Sequence, residues 1–441
     1  MVTDHRFAMP SKASPLRSAA YGVVLALAGL VAPATAGSAD VLTFQDALRI
    51  AAERSSKLVA RDAAAQAARD MAVAAGQLPD PTLKLGLNNL PVNGPDAWSV
   101  TSDFMTMRSI GLSQEFTREA KRKARSDRFE READVAAAGR TLALAALQRD
   151  TALAWLDRHY QERLRETLIG QRDEATLQVE AADVAYRSAR GSQADVFAAR
   201  TSVALIEDRI AQVDRQIAIA IGQLARWVGP MAQLPLAAPP PMTTVRLTPA
   251  DLAAQLAHHP QIDIMAKQED VARAEAQVAQ ANRQADWNVE LMYSQRGPAY
   301  SNMVSLNVSV PLQWDRPSRQ DRELAAKLAL ADELRAEREE ATRAHVAEAS
   351  AMLVEWQSDR ARLGRYEDSL IPLATERTRA AIAAYRGGGG TLTAVLEARR
   401  GEIDIRAEQI RLELETARLW AQVNFLFPAS DAAMHPGGAP R

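Results

Sequence analysis

The sequence contains no cysteine. That absence excludes disulfides, thiolate metal sites and cysteine nucleophiles, and with them the lipid-bearing N-terminal cysteine of a bacterial lipoprotein. An excess of charge of either sign is missing too. The 53 basic residues stand against 55 acidic ones, so nothing in the balance points to nucleic acid. The six histidines are scattered apart from His258-His259. Neighbours on a helix point about 100° apart, and His259 precedes Pro260, so the two do not face one ion. No nucleophile–base–acid or metal-ligand spacing occurs, which argues against an enzyme and against a cofactor. Beyond the N-terminus no stretch offers the roughly eighteen apolar residues of a membrane helix. An exported chain of this kind can span a membrane only as a β-barrel.

What is present starts at the N-terminus. Arg6, Lys12 and Arg17 precede an apolar run from Tyr21 to Val31, and Ala34-Thr35-Ala36 follows. A basic region, a hydrophobic core and a small-x-small site together predict a secretory signal peptide over 1–36.

One stretch then occurs twice. Ala185, Tyr186, Arg187, Gly191, Val196, Ala199 and Arg200 meet identical residues, without a gap, at Ala384, Tyr385, Arg386, Gly390, Val395, Ala398 and Arg399. Each copy reads as a sharp break between two helices. Glycine is expected to supply the positive φ that ends the first helix, and Ser192 or Thr391 a side-chain oxygen that caps the next. Ser192-x-x-Asp195 resembles a capping box. Two such tips, near 187–192 and 386–391, predict a duplicated chain.

The rest of the chain can be read around that duplication. Alternation of Leu83, Leu85 and Leu87 with Lys84, Gly86 and Asn88 predicts a strand over about 82–90, and Ile110 and Leu112 mark a second over 106–115. Between Pro95 and Pro230 there is no proline. Leu153, Leu156, Tyr160, Leu164 and Leu168 recur there at helical spacing. One helix from Lys121 to Arg190 would be roughly 105 Å long. The first repeat therefore covers 37–229. A Pro-rich linker fills 230–246, and a second repeat spans 247–428, with strands over 287–294 and 303–312. Its long helix, from about Ser318 to Tyr385, is expected to kink at Pro372. A disordered tail is expected over 429–441.

Each half thus supplies two strands and an antiparallel pair of long helices. Four strands cannot close a barrel, and open edges are forbidden in lipid, so closure must come from several chains. Two chains would nearly fill the lumen with side chains, whereas three give twelve strands and leave an opening. Trp98, Phe104, Phe116, Trp287, Tyr300 and Trp314 fall at strand ends or in loops, where an aromatic girdle sits. The rival readings are a soluble α+β protein, a periplasmic adaptor with long hairpins, and an exported coiled-coil structural protein without channel activity.

The two tips, the Leu78-Pro79-Asp80-Pro81-Thr82-Leu83 entry to the first strand, and the twofold helix–strand–strand–helix–helix order resemble the TolC-type outer-membrane efflux proteins. The run Asp103 to Gly111 resembles the second strand of the heavy-metal subgroup, CzcC-like and CusC-like. The resemblance implies a mainly α fold with a transmembrane β-barrel segment. It further implies a homotrimer whose twelve-stranded barrel continues as a long periplasmic α-helical barrel. The implied partners are a periplasmic adaptor, an inner-membrane RND pump and outer-membrane lipid. The implied cargo is heavy-metal cations.

By the same resemblance Tyr385 matches a gate tyrosine linked to the acid that Asp195 matches, and Glu397 matches an acid of the constriction ring. Gly390 and Ala394 stand where well-known members carry a basic residue and a further acid, leaving Arg187, Arg190 and Arg386 as substitutes in the lock. Asp195 and Glu397 also suit plain helix capping. Gly191 belongs to the first tip, and Gly387, Gly388, Gly389 and Gly390 read as a hinge. Met105 and Met107 would share a strand face, as soft metal ligands or as packing.

Overall fold

The computed structural model describes residues 41–429. The signal peptide expected over 1–36, and all but Ala429 of the expected tail, lie outside them. A short helix α1 (Phe44–Arg54) is capped by the Thr43 hydroxyl, and Ser55 caps the next, α2 (Ser56–Ala75). Gly76 closes α2, and the chain enters β1 (Thr82–Asn88), β2 (Met107–Phe116), α3 (Glu119–Arg187) and α4 (Gln193–Val228). The second half repeats that order. It runs through α5 (Leu252–Leu256), α6 (Pro260–Ala281), β3 (Trp287–Gln295), β4 (Met303–Ser309), α7 (Gln320–Arg365), α8 (Ile371–Arg386) and α9 (Leu392–Asn424).

With no proline to interrupt it, α3 runs unbroken for 69 residues, about 104 Å at the helical rise. Its counterpart is broken by a π-helical turn, Tyr366–Leu370, immediately before Pro372. Proline offers no N–H to the carbonyl four residues back and crowds it, so the backbone widens by one residue ahead of the ring. The feature expected as a kink at Pro372 therefore lies in the turn before it.

The helices pack closely because the contacting faces are small. Ala124, Ala133, Ala138, Gly139, Ala143, Ala145 and Ala152 are all buried along α3, and interaxial distance follows side-chain size. Larger groups gather midway. Phe44 meets Trp155 edge-on at 5.5 Å between ring centroids, and Leu156, Leu224, Trp420 and Phe425 complete that core. The Pro-rich stretch is held against it: Leu42 bridges Leu236 in parallel, and Leu234, Leu236 and Met242 pack on the cluster.

The four strands form one antiparallel sheet in the order β1-β2-β3-β4. The β2–β3 pairing, from Arg108↔Gln295 to Phe116↔Trp287, joins the two halves. β1 stops at Asn88 because Asn89 turns the chain with φ 55°. β4 stops at Ser309, short of 312, two residues before Pro311, which has no N–H for a ladder.

Candidate functional site

Two places stand out among the described residues: the sheet and the tips. The register sorts the sheet into two unlike faces. Leu83, Leu112, Leu291 and Leu306 stand in one row, and Leu85, Ile110, Tyr293 and Val304 in the next. All of these are exposed, Leu85 at 73%. The opposite face carries Ser109, Gly111, Ser113, Glu290, Ser294, Ser305 and Asn307, and here Ser109, Ser113 and Ser294 are buried. The sheet is apolar where it is open, and what it buries is polar, at the centre of the opposite face on β2 and β3, the reverse of a soluble sheet.

Burying one large apolar side chain is worth roughly 1.5–3 kcal/mol. Leaving these rows in water would forfeit an amount comparable to the ~5–15 kcal/mol stability of an entire domain. The outer edges of β1 and β4 also pair with no strand among the described residues, so each presents a free row of backbone donors and acceptors.

Aromatic side chains bracket the sheet. Phe116 and Trp287 are register partners at the end nearest the helices, and Trp314, past the end of β4, is 87% exposed. Trp98, Phe104 and Tyr300 are exposed at the far end. The far loops are tied together there: the Arg296 guanidinium donates to the Phe104 carbonyl and lies 5.0 Å over the Tyr300 ring. Met107 opens β2 on the polar face, opposite Asn88. Met105 precedes the strand and is exposed, its N–H donating to Asp103 Oδ1 at 2.7 Å. No group of three or more His, Cys, Asp or Glu side chains converges among the described residues. Nor is any described helix long and apolar enough to cross a membrane.

The tips have one hydrogen-bonding plan. In the first, the Arg190 N–H donates to the Ala185 carbonyl at 2.8 Å and that of Ala189 to Tyr186 at 3.0 Å. In the second, Gly389 donates to Ala384 at 3.0 Å and Gly388 to Tyr385 at 3.1 Å. Both are Schellman-like helix ends. The residue with positive φ is Gly388 (78°) in the second tip but Ala189 (57°) in the first. A glycine was expected to supply that conformation in both, and in the first it does not. The shared Gly191 and Gly390 are needed for closeness instead. A Cβ on Gly390 would lie 3.0 Å from the Tyr385 nitrogen, and one on Gly191 would lie 3.2 Å from the Ala185 Cβ.

Ser192 and Asp195 form a full capping box. The Asp195 N–H donates to Ser192 Oγ at 3.1 Å, while the Ser192 N–H and hydroxyl donate to Asp195 Oδ2 at 3.0 and 2.7 Å. Those bonds from the Ser192 backbone and hydroxyl hold the Asp195 carboxyl below its ordinary range. Thr391 caps α9 from one side only, since Ala394 has no carboxylate to return.

Tyr385 packs among Val196, Leu392 and Val395 and makes no hydrogen bond to Asp195 within this chain. Arg187 pairs with Asp183 at 2.5 Å and Arg190 Nε donates to Ser188 Oγ at 3.2 Å, while Arg386 and Glu397 are exposed. The final arginine of the motif has diverged between the copies. Arg200 is exposed, whereas Arg399 joins Glu174 of α3 and stands 3.6 Å from the buried Glu402. Its place in the duplicated motif was the one signal for it.

By sequence alone the chain matches no family model and no curated protein. By shape it matches solved outer-membrane channels along most of its length. The outer-membrane channel OprN superposes with a TM-score of 0.73 at 15% identity, over 88% of this chain and 90% of that one. The outer membrane protein VceC of Vibrio cholerae gives 0.69 at 18%, over 87% and 95%. CusC, a transmembrane channel, gives 0.73 at 15%, over 88% and 92%. At such identities the likeness is one of fold. This chain has the fold of outer-membrane channel proteins, mainly helical with a few antiparallel strands. CusC stands beside the others at similar scores, so the fold does not single out a heavy-metal subgroup.

Proposed function

We propose that the chain is one subunit of a TolC-type exit duct in the outer membrane, serving a tripartite efflux system. The observation that carries this reading is the inverted sheet, with its apolar rows exposed, the centre of its polar face buried and both edges unpaired among the described residues. Three copies pairing β1 of one with β4 of the next would give a closed twelve-stranded barrel, with lipid outside and water inside. Strands of seven to ten residues span about 24–34 Å before tilt. β2 and β3, at ten and nine residues, have the roughly 9–11 residues of a tilted membrane strand. The paired long helices would continue the tube through the periplasm.

A duct does no bond chemistry, so control lies in its width. In a trimer the tips converge, and their acidic residues become rings of like charge that favour cations. Glu397, exposed and at the start of a returning helix, is the stronger candidate for such a ring, while Asp195 is engaged in capping. Tyr385, Arg187, Arg190 and Arg386 complete the proposed gate, and Gly387 to Gly390 its hinge. The partners are a periplasmic adaptor and an inner-membrane RND pump that supplies the energy. Heavy-metal cations are the cargo suggested by the Asp103–Gly111 resemblance, and the choice among them is made by the pump.

Deleting the gene in a host that carries the matching pump tests the reading. The strain should become sensitive to the pump's substrates, and the protein should fractionate with outer membranes. A chain found free in the periplasm would overturn it.

A further inference from the structure

Sorting the strand residues by face exposes an asymmetry of charge. On the polar face the charged strand residues are Lys84, Glu115 and Glu290, and among the described residues of the strands Lys84 is the one cation there. Lys84 lies on edge strand β1 and Glu290 on β3, with β2 between them, yet Lys84 Nζ is 2.6 Å from Glu290 Oε2. Two strand spacings amount to roughly 9.5 Å, so the lysine must reach across a whole strand. It can do so because its register partner on β2 is Gly111, which raises no side chain in the way. The partner of Glu290 on that strand is the small Ser113.

We propose that Lys84 is the residue that limits the negative charge of the barrel wall. This rests on the duct reading, which makes the polar face the lumen. Lys84 cancels Glu290 in each subunit, so Glu115, whose side chain accepts only from the Thr117 hydroxyl, is left as the unpaired carboxylate of the wall. Without Lys84, each subunit would present an unpaired Glu290 carboxylate to the lumen. In a closed trimer that makes a ring of negative charge, which concentrates cations and excludes anions.

The test is the reversal potential of full-length protein in planar lipid bilayers under a potassium chloride gradient, near 0.01 M salt, where the Debye length is about 30 Å. Lys84→Gln should raise the potassium-to-chloride permeability ratio at least about twofold over the parent, given that a ring of charges faces the pore. Glu290→Gln should lower it, the double variant should return it to the parental value, and Lys84→Arg should leave it there. Near 1 M salt, where the Debye length is about 3 Å, the differences should vanish. Unshifted single variants, or shifts that persist at high salt, would overturn the role of Lys84 while leaving the duct intact. A chain that conducts no ions either as the parent or with the proposed gate altered by Glu397→Gln would overturn both.

Discussion

Ala189 and Gly388 occupy the same place in the two tips, and both take the left-handed backbone conformation, at φ 57° and 78°. One copy uses the residue that adopts this conformation freely and the other does not. A left-handed non-glycine residue costs roughly 1–2 kcal/mol. Ala189→Gly should therefore tighten the first tip by a net ~0.5–1 kcal/mol once the extra freedom of glycine in the unfolded chain is subtracted. Gly388→Ala should loosen the second by ~1–2 kcal/mol. Hydrogen exchange at Ala185–Arg190 and Ala384–Gly389 reads both, slowing in the first variant and speeding in the second.

The acidic residues of the tips should separate by role. Asp195→Ala removes half of a capping box and should cost ~0.5–2 kcal/mol, seen as faster exchange at the start of α4. Asp195→Asn keeps an acceptor for the cap while losing the charge, and should lie between Ala and the parent. Glu397→Gln touches no hydrogen bond, so thermal stability should not move. Single-channel conductance should change, because a ring of charges loses its sign. An unchanged conductance would remove Glu397 from the gate.

The two faces of the sheet should respond oppositely to charge. Leu85→Arg or Leu306→Arg places a cation on the proposed lipid face, costing ~2–4 kcal/mol at mid-membrane, and should sharply reduce assembled protein in outer membranes. Asn307→Arg, on the polar face, should assemble normally. Equal tolerance at all three positions would deny that the faces differ in solvent.

Acid should weaken the packing at the start of α6. His259 is buried there, its Nδ1 accepting from the Gln261 N–H at 3.2 Å and its ring 4.8 Å from that of His345. Burial, with the nearby His345, lowers its pKa to about 4, below the ordinary ~6.5. Other charges bear on the pair as well. Glu348 Oε2 is 3.8 Å from His345 Nδ1, and Arg149 and Asp150 of α3 line the adjoining cavity. A depressed histidine favours the fold fully above the unfolded pKa, and that contribution is lost as pH falls from about 6.5 toward 4. Melting temperature should therefore drop over that window, and His259→Gln should flatten the drop. Parallel curves for parent and variant would count against this assignment.

Much of this was legible in the sequence because two signals are strictly periodic. Strand alternation survives where the two faces meet different surroundings, so Leu83, Leu85 and Leu87 against Lys84 and Gly86 announced both a strand and its two unlike faces. The tips were legible because a chain duplicated without gaps carries its own alignment. What stayed hidden depends on geometry that a linear pattern does not encode. Ala189 gives no compositional hint of positive φ, and Gly191 looks like the turn residue although its role is to let the chain pass close to Ala185. The Lys84–Glu290 pair joins residues far apart in the chain through a register that only pairing fixes. Pro372 signalled a disturbance but not that the backbone would absorb it one turn earlier.

The central claim is that the open edges of the sheet are completed by two further copies of the chain. Because the native sequence has no cysteine, single cysteines placed along β1 and β4 can report that pairing without background. Oxidation of intact outer membranes containing such double-cysteine chains should yield covalent dimers and trimers and nothing larger. Chains that stay monomeric at every pair tried, or a ladder that continues past the trimer, would contradict the account.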